Sequence, residues 1–235
     1  MKKILTFSIL LICFSVSAFA QSPVRFYENA KAGYKDANGQ VLVEAKYDAG
    51  SEFREGYAIV ITGSMRGFID EKGELAIPMQ YDDASQFFDG MARVAVGVKN
   101  GYIDYAGEWL IQPIYDFGDD YIDGLARVSK NSKFGFINRI GEAAIKLQYD
   151  DARNFFDGVA AVKQNDKWGF IDAKGNMIIP MQYADALFFH EGIARVTDGK
   201  KNFYIDKSGQ WVKDEERHEE EFEMKERKQG EDKNE

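Results

Sequence analysis

The chain has 235 residues, 45% of them apolar and 29% charged, and a formal net charge of −9. That mixture excludes wholesale disorder, and the negative balance excludes a nucleic-acid binder held through phosphate contacts. The single cysteine, Cys13, excludes a disulfide framework and a cysteine-based zinc site.

Lys2 and Lys3 open the chain and precede an apolar run from Ile4 to Phe19, after which Ala18-Phe19-Ala20 places small residues where a signal peptidase reads them. The run, about 16 residues, is shorter than the roughly 20 that cross a bilayer. Residues 1–20 are therefore expected to be a signal peptide, cleaved near Ala20, with the mature chain periplasmic or extracellular and not inserted across a membrane. The alternatives are an uncleaved anchor and a lipoprotein at Cys13, although Ile12 is not the small residue a lipid-attachment site wants before its cysteine.

From Val24 onward the chain repeats itself. Gly33, Gly67, Gly101, Gly135 and Gly169 stand 34 apart, as do Gly39, Gly73, Gly107, Gly141, Gly175 and Gly209, and again Gly56, Gly90, Gly124, Gly158 and Gly192. Tyr47, Tyr81, Tyr115, Tyr149 and Tyr183 keep the same interval. So do the aromatic column Phe53, Phe87, Tyr121, Phe155, Phe189 and the β-branched column Val43, Ile77, Ile111, Ile145, Ile179. This frame divides the chain into units 24–57, 58–91, 92–125, 126–159 and 160–193, with a partial sixth at 194–212.

Within a unit the elements read as strands. Ala92-Arg93-Val94-Ala95-Val96 alternates, Gly101 to Asp104 makes a second run, a turn closes at Gly107, and Glu108 to Ile111 makes a third. Three glycines per unit are incompatible with paired helices, where each costs about 1 kcal/mol. The expected fold is all-β: six three-stranded antiparallel units joined by Tyr-Asp to Gly links. An open, solenoid-like array is the first choice because the last unit is truncated, and a closed six-bladed propeller-like ring is the alternative.

Several columns are candidates for function. Asp36, Asp70, Asp104, Asp172 and Asp206, with Asn138 in one copy, each precede a turn glycine (Gly73, Gly107 and Gly175 among them). Such a side chain accepts backbone N–H bonds and fixes the turn; a ligand role is the competing reading. Acids Glu55, Asp89, Asp123, Asp157 and Glu191 lie four residues before Ile59, Arg93, Arg127, Ala161 and Arg195. Stacked units would bring Arg93 and Arg127 together with acids nearby, as a salt-bridged edge or as a shallow charged groove for an anionic or peptide ligand. The Tyr and Phe columns read as core. Doubled aromatics cannot all point inward, so Phe88, Phe156 and Phe189, the second rings of their pairs, are candidates for an exposed binding stripe.

No nucleophile elbow, zinc-protease helix, P-loop or dinucleotide fingerprint occurs, and the two histidines, His190 and His218, are unrelated in position. The chain reads as a non-enzyme without cofactor or metal, leaving a carboxylate-based hydrolase as the less favoured alternative.

Lys167-Trp168-Gly169-Phe170-Ile171-Asp172, followed by Gly175, Ile179-Pro180, Tyr183, Phe189, Glu191-Gly192 and Ala194-Arg195-Val196, resembles the WG (or KWG) repeat of bacterial proteins. The resemblance extends over nearly all of the mature chain outside its tail, although Trp168 is the only tryptophan at its position; Ala32, Arg66, Asn100, Phe134 and Asn202 replace it elsewhere. It implies an interaction scaffold rather than a reaction. The expected partner is another envelope protein or peptide, or alternatively a glycan. Residues 213–235, with 11 acids and 6 bases, are expected to form a disordered acidic tail.

Overall fold

A computed structural model describes residues 22–214; the signal-peptide reading and most of the tail lie outside them. Among the described residues the regular secondary structure is strand, arranged as six antiparallel sheets. Sheet 1 comprises Val24–Glu28, Lys31–Lys35 and Val41–Tyr47. Sheet 2 comprises Ala49–Gly50, Tyr57–Thr62, Met65–Asp70 and Leu75–Tyr81. Sheet 3 runs from Asp83–Ala84 through Ala92–Val96 and Lys99–Ile103 to Trp109–Tyr115. Sheet 4 holds Phe117–Gly118, Leu125–Lys130, Lys133–Asn138 and Ala143–Tyr149. Sheet 5 holds Asp151–Ala152, Val159–Gln164, Lys167–Asp172 and Met177–Tyr183. Sheet 6 holds Asp185–His190, Ile193–Thr197, Asn202–Asp206 and Trp211–Asp214.

Sheets 2 to 6 therefore have four strands, not the three expected. The Tyr-Asp link supplies the extra one, pairing as an edge strand with the next hairpin, as in Phe117 opposite Ser129 and Gly118 opposite Val128. The last sheet is also complete: the final strand reaches Asp214, beyond the expected boundary at 212.

The turns follow from local chemistry. Asp104 Oδ1 accepts the backbone N–H of Ala106 and of Glu108, each at 2.9 Å, and Gly107 takes φ +78°. Asp70 and Asp172 repeat this on Lys72 and Glu74, and on Lys174 and Asn176. The glycine after Trp168 has a different cause. The facing strand bulges between the partners of Trp168 and Phe170, and a Cβ on Gly169 would sit 2.6 Å from the Ile179 carbonyl oxygen.

Alternate residues of each inner hairpin serve opposite faces, as the two-residue strand period requires. Ala58, Val60 and Ile69 of sheet 2 pack back on Tyr34, Val43 and Tyr47 of sheet 1, while Ile59, Phe68 and Ile77 pack forward on Ala92, Val94 and Ile103 of sheet 3. The same division makes the seams between sheets 3 and 4, 4 and 5, and 5 and 6. Every seam holds an aromatic pair 19 residues apart: Tyr34–Phe53, Phe68–Phe87, Tyr102–Tyr121, Phe136–Phe155 and Phe170–Phe189, with ring centroids 4.7–5.4 Å apart.

Six sheets thus make five apolar seams, and no core cluster among the described residues joins sheet 1 to sheet 6. The array is open and solenoid-like rather than a closed ring. Its two ends break the columns in matching ways. Lys35 stands where Ile69, Ile103, Ile137, Ile171 and Ile205 are buried, and its Nζ lies 4.4 Å from the Phe26 ring centre. Lys213 continues the column of Val43, Ile77, Ile111, Ile145 and Ile179, with its Nζ 5.2 Å from the Tyr204 ring centre. Each end sets a cation over an aromatic ring at a position where the inner sheets carry a β-branched apolar residue.

Candidate ligand cleft at a seam between sheets

The arginine column runs along the forward faces. Arg25, Arg93 and Arg127 each pair across the hairpin with the seam aromatic, opposite Tyr34, Tyr102 and Phe136, and Arg195 lies opposite Tyr204 on the outer face of sheet 6. Three of these side chains face seams, and two of them reach across. Arg25 donates to the Gly50 carbonyl and pairs with Glu52 at 3.0 Å. Arg127 donates to the Ala152 carbonyl, pairs with Asp119 at 2.8 Å, and lies 4.9 and 5.8 Å from the ring centres of Phe117 and Phe134.

Arg93 turns aside. It donates to Asn100 Oδ1 and to Asp83 Oδ2, both at 2.9 Å. Asp83 is additionally 3.4 Å from Arg66. Beside Arg93 lies a cleft of about 360 Å³ between sheets 3 and 4, lined by Asp83, Arg93, Asn100, Phe117, Gly118, Asp119 and Asp120. This lining holds three carboxylates and one guanidinium. Tyr102 donates its hydroxyl to the Asp119 backbone carbonyl at 2.7 Å; burial pushes that phenol far above its ordinary range. Among the described residues no His, Cys, Asp and Glu side chains gather as a metal-binding group.

The other sequence candidates divide. Phe189 is core, 1% exposed, and is not on a binding stripe. It belongs to the column of Phe53, Phe87, Tyr121 and Phe155, so in its pair the exposed ring is the first, Phe188. Phe156 is 41% exposed and meets Phe188 at 4.7 Å between ring centres. Phe88 is half-buried, with the Arg54 guanidinium 4.1 Å over its ring. Arg195 is half-buried on the forward face of sheet 6. Trp168 is buried at the last seam, under the Arg153 guanidinium at 4.9 Å.

The acids expected beside the arginines do another job. Glu55 and Asp157 sit in left-handed turns and reach the equivalent turn of the next unit, Glu55 accepting the N–H of Asp89 and Gly90, and Asp157 that of Gly192. Arg93 pairs instead with Asp83, which the adjoining edge strand carries. The cleft residues Asp83, Asn100, Phe117, Asp119 and Asp120 were not singled out by sequence. Their signal is a break in two columns: Asp83 and Asn100 stand where the next unit has Phe117 and Phe134.

A family model described as WG containing repeat matches residues 33–64, 67–97, 101–134, 134–168 and 168–201, more than half of the chain. The chain belongs to the WG containing repeat family. No curated protein matches this WG-repeat chain. Among solved structures it is similar to a eukaryotic initiation factor, with a TM-score of 0.52 and 13% identity over 83% of this chain and 63% of that one. It therefore spans less than two thirds of that protein's length. It is also similar to Kluyveromyces lactis Hsv2p (TM-score 0.47, 9% identity, 80% of this chain and 72% of that one). A third similar structure is a protein of unknown function from Bacteroides caccae (TM-score 0.30, 14% identity, 83% of this chain and 93% of that one). At these identities the likeness to the initiation factor, a β-propeller-like protein, concerns the fold of the WG-repeat array alone. No helix among the described residues is long and apolar enough to cross a membrane.

Proposed function

We propose that this WG-repeat protein is an exported, non-enzymatic binding scaffold of the bacterial envelope whose partner is another polypeptide. The observation that carries this reading is the cleft between sheets 3 and 4. It is a polar recess set in a rigid stack whose inner sheets spend both faces on packing. Rigid repeat surfaces present recognition groups without an ordering cost at binding. Asp83 and Asp119 in the cleft are already engaged by arginines, an arrangement suited to recognition more than to proton transfer.

The test is affinity capture from envelope extract with residues 21–235 and 21–214 as baits. One stoichiometric protein retained by both supports the scaffold reading and assigns the contact to the sheets. Retention by the longer bait alone moves the contact to the tail, and retention by neither overturns the reading. Glycan binding is the second reading and rests on the exposed Phe156–Phe188 pair. It predicts saturable binding on a glycan array that Phe156→Ala abolishes.

A further inference from the structure

Repeat equivalence identifies what the cleft is shaped to hold. Two units separate Arg25 from Arg93, Gly50 from Gly118 and Glu52 from Asp120. At the first seam the carbonyl of Gly50 and the carboxylate of Glu52 together grip the Arg25 guanidinium. At the third seam the same pair recurs as Gly118, on the edge strand of sheet 4, and Asp120, and both line the cleft. Arg93 lines the cleft, but its guanidinium does not fill this grip, because Asp83 and Asn100 take it instead.

The neighbouring seams explain that diversion. At the first seam the residue equivalent to Asn100 is Ala32, which exerts no polar pull. At the fourth, Phe117 and Phe134 replace Asp83 and Asn100, and Arg127 lies against both rings while donating to the Ala152 carbonyl. Only the third seam combines the Gly-carbonyl and carboxylate grip with a pair of polar residues that removes its own arginine. Asp120 is exposed and no cation pairs with it among the described residues.

We propose that this cleft receives the guanidinium of an arginine side chain on the partner polypeptide, which donates to the Gly118 carbonyl and to Asp120 beside the Phe117 ring. A planar fork of donors spans a carbonyl and a carboxylate together, whereas an ammonium engages them as a point charge. The cleft, about 360 Å³, is at the small end for ligand sites and suits one side chain rather than a large molecule. The inference builds on the scaffold reading but fails separately from it.

The test is an amide NMR titration of mature protein 21–235 with blocked arginine (N-acetyl-arginine amide), and with blocked citrulline and blocked lysine as controls. Saturable shifts at Gly118, Asp119 and Asp120 with arginine, weaker ones with lysine and none with citrulline are expected. Asp120→Asn, an exposed substitution, should weaken arginine binding by about tenfold or more. Asp83→Ala with Asn100→Ala should weaken it too, by releasing Arg93 into the cleft. Equal response to arginine and citrulline, or an unchanged affinity in Asp120→Asn, overturns the proposal. A partner captured from the envelope whose binding ignores Asp120→Asn leaves the scaffold reading standing without this site. Arginine binding without any captured partner does the reverse.

Discussion

The hydroxyl of Tyr102 stands 2.9 Å from the point that a Cβ on residue 118 would occupy, and residue 118 is glycine. Tyr34 and Gly50 stand in the same relation, with the hydroxyl of Tyr34 again claiming the Cβ space. Where the seam aromatic is Phe68, Phe136 or Phe170, lacking the hydroxyl, the small residue is Ala84, Ala152 or Ala186. One oxygen and one methyl group therefore exchange places along the array. Gly118→Ala is expected to destabilise the protein by about 1–3 kcal/mol through overpacking. Tyr102→Phe alone should cost about 1 kcal/mol for the hydrogen bond to Asp119. The double variant should be more stable than the sum of the two predicts, which urea unfolding measures. Strict additivity would refute the pairing.

Trp168 fills the last seam at 5% exposure. Trp168→Ala should cost about 3–5 kcal/mol, whereas Trp168→Phe, the residue at the same position one unit earlier, should cost roughly 1–2 kcal/mol. Thermal unfolding of the two variants separates a seam that needs bulk from one that needs indole.

Acid should loosen the links between units. The Asp116 carboxylate accepts the Lys99 ammonium and, at 2.7 Å, the Asn131 N–H, and these bonds, with Lys99 the stronger cause, hold its pKa below the ordinary carboxylate value. Lys31 and Gly63 do the same for Asp48, and Lys133 and Asn165 for Asp150. The folded state thus binds these protons more weakly than the unfolded chain. The stability they contribute is complete above the unfolded pKa, about 4, and is lost as pH falls through the lower folded values. Asp116→Asn should lower the melting temperature at pH 7, and the gap to the unaltered protein should close as the pH falls from 5 toward 2. A gap that persists at pH 2 would contradict this assignment.

Much of this architecture was legible because it is written in columns. The 34-residue recurrence located the turns at Asp104 and Gly107, the core tyrosines and the aromatic column. The fourth strand escaped because Phe117–Gly118 pairs through backbone alone, and two residues carry no periodicity. Phe189 was misplaced by reading it as the second of two rings when its 34-residue column already assigned it to the core. The arginine column was visible, but its behaviour was not. Whether a guanidinium enters its seam depends on residues ten positions before and seven after it, which become neighbours only when strands of one sheet fold together, as Asp83 and Asn100 do around Arg93.

Lys35→Ile combined with Lys213→Ile should leave the fold intact while giving both ends the apolar character of an inner face. Sedimentation velocity should then show concentration-dependent, end-to-end association, and a strictly monomeric double variant would show that the two lysines do not govern it.

The sharing of each sheet between two seams also bears on how such a chain can lengthen. A duplicated inner unit arrives with one backward and one forward face, so it slots between existing sheets and leaves both lysine-bearing ends untouched. Growth by internal copying therefore adds one seam per event without exposing new apolar surface. Because the fate of an arginine at each seam hangs on two neighbouring positions, a copied unit needs only a pair of substitutions to open a cleft of its own.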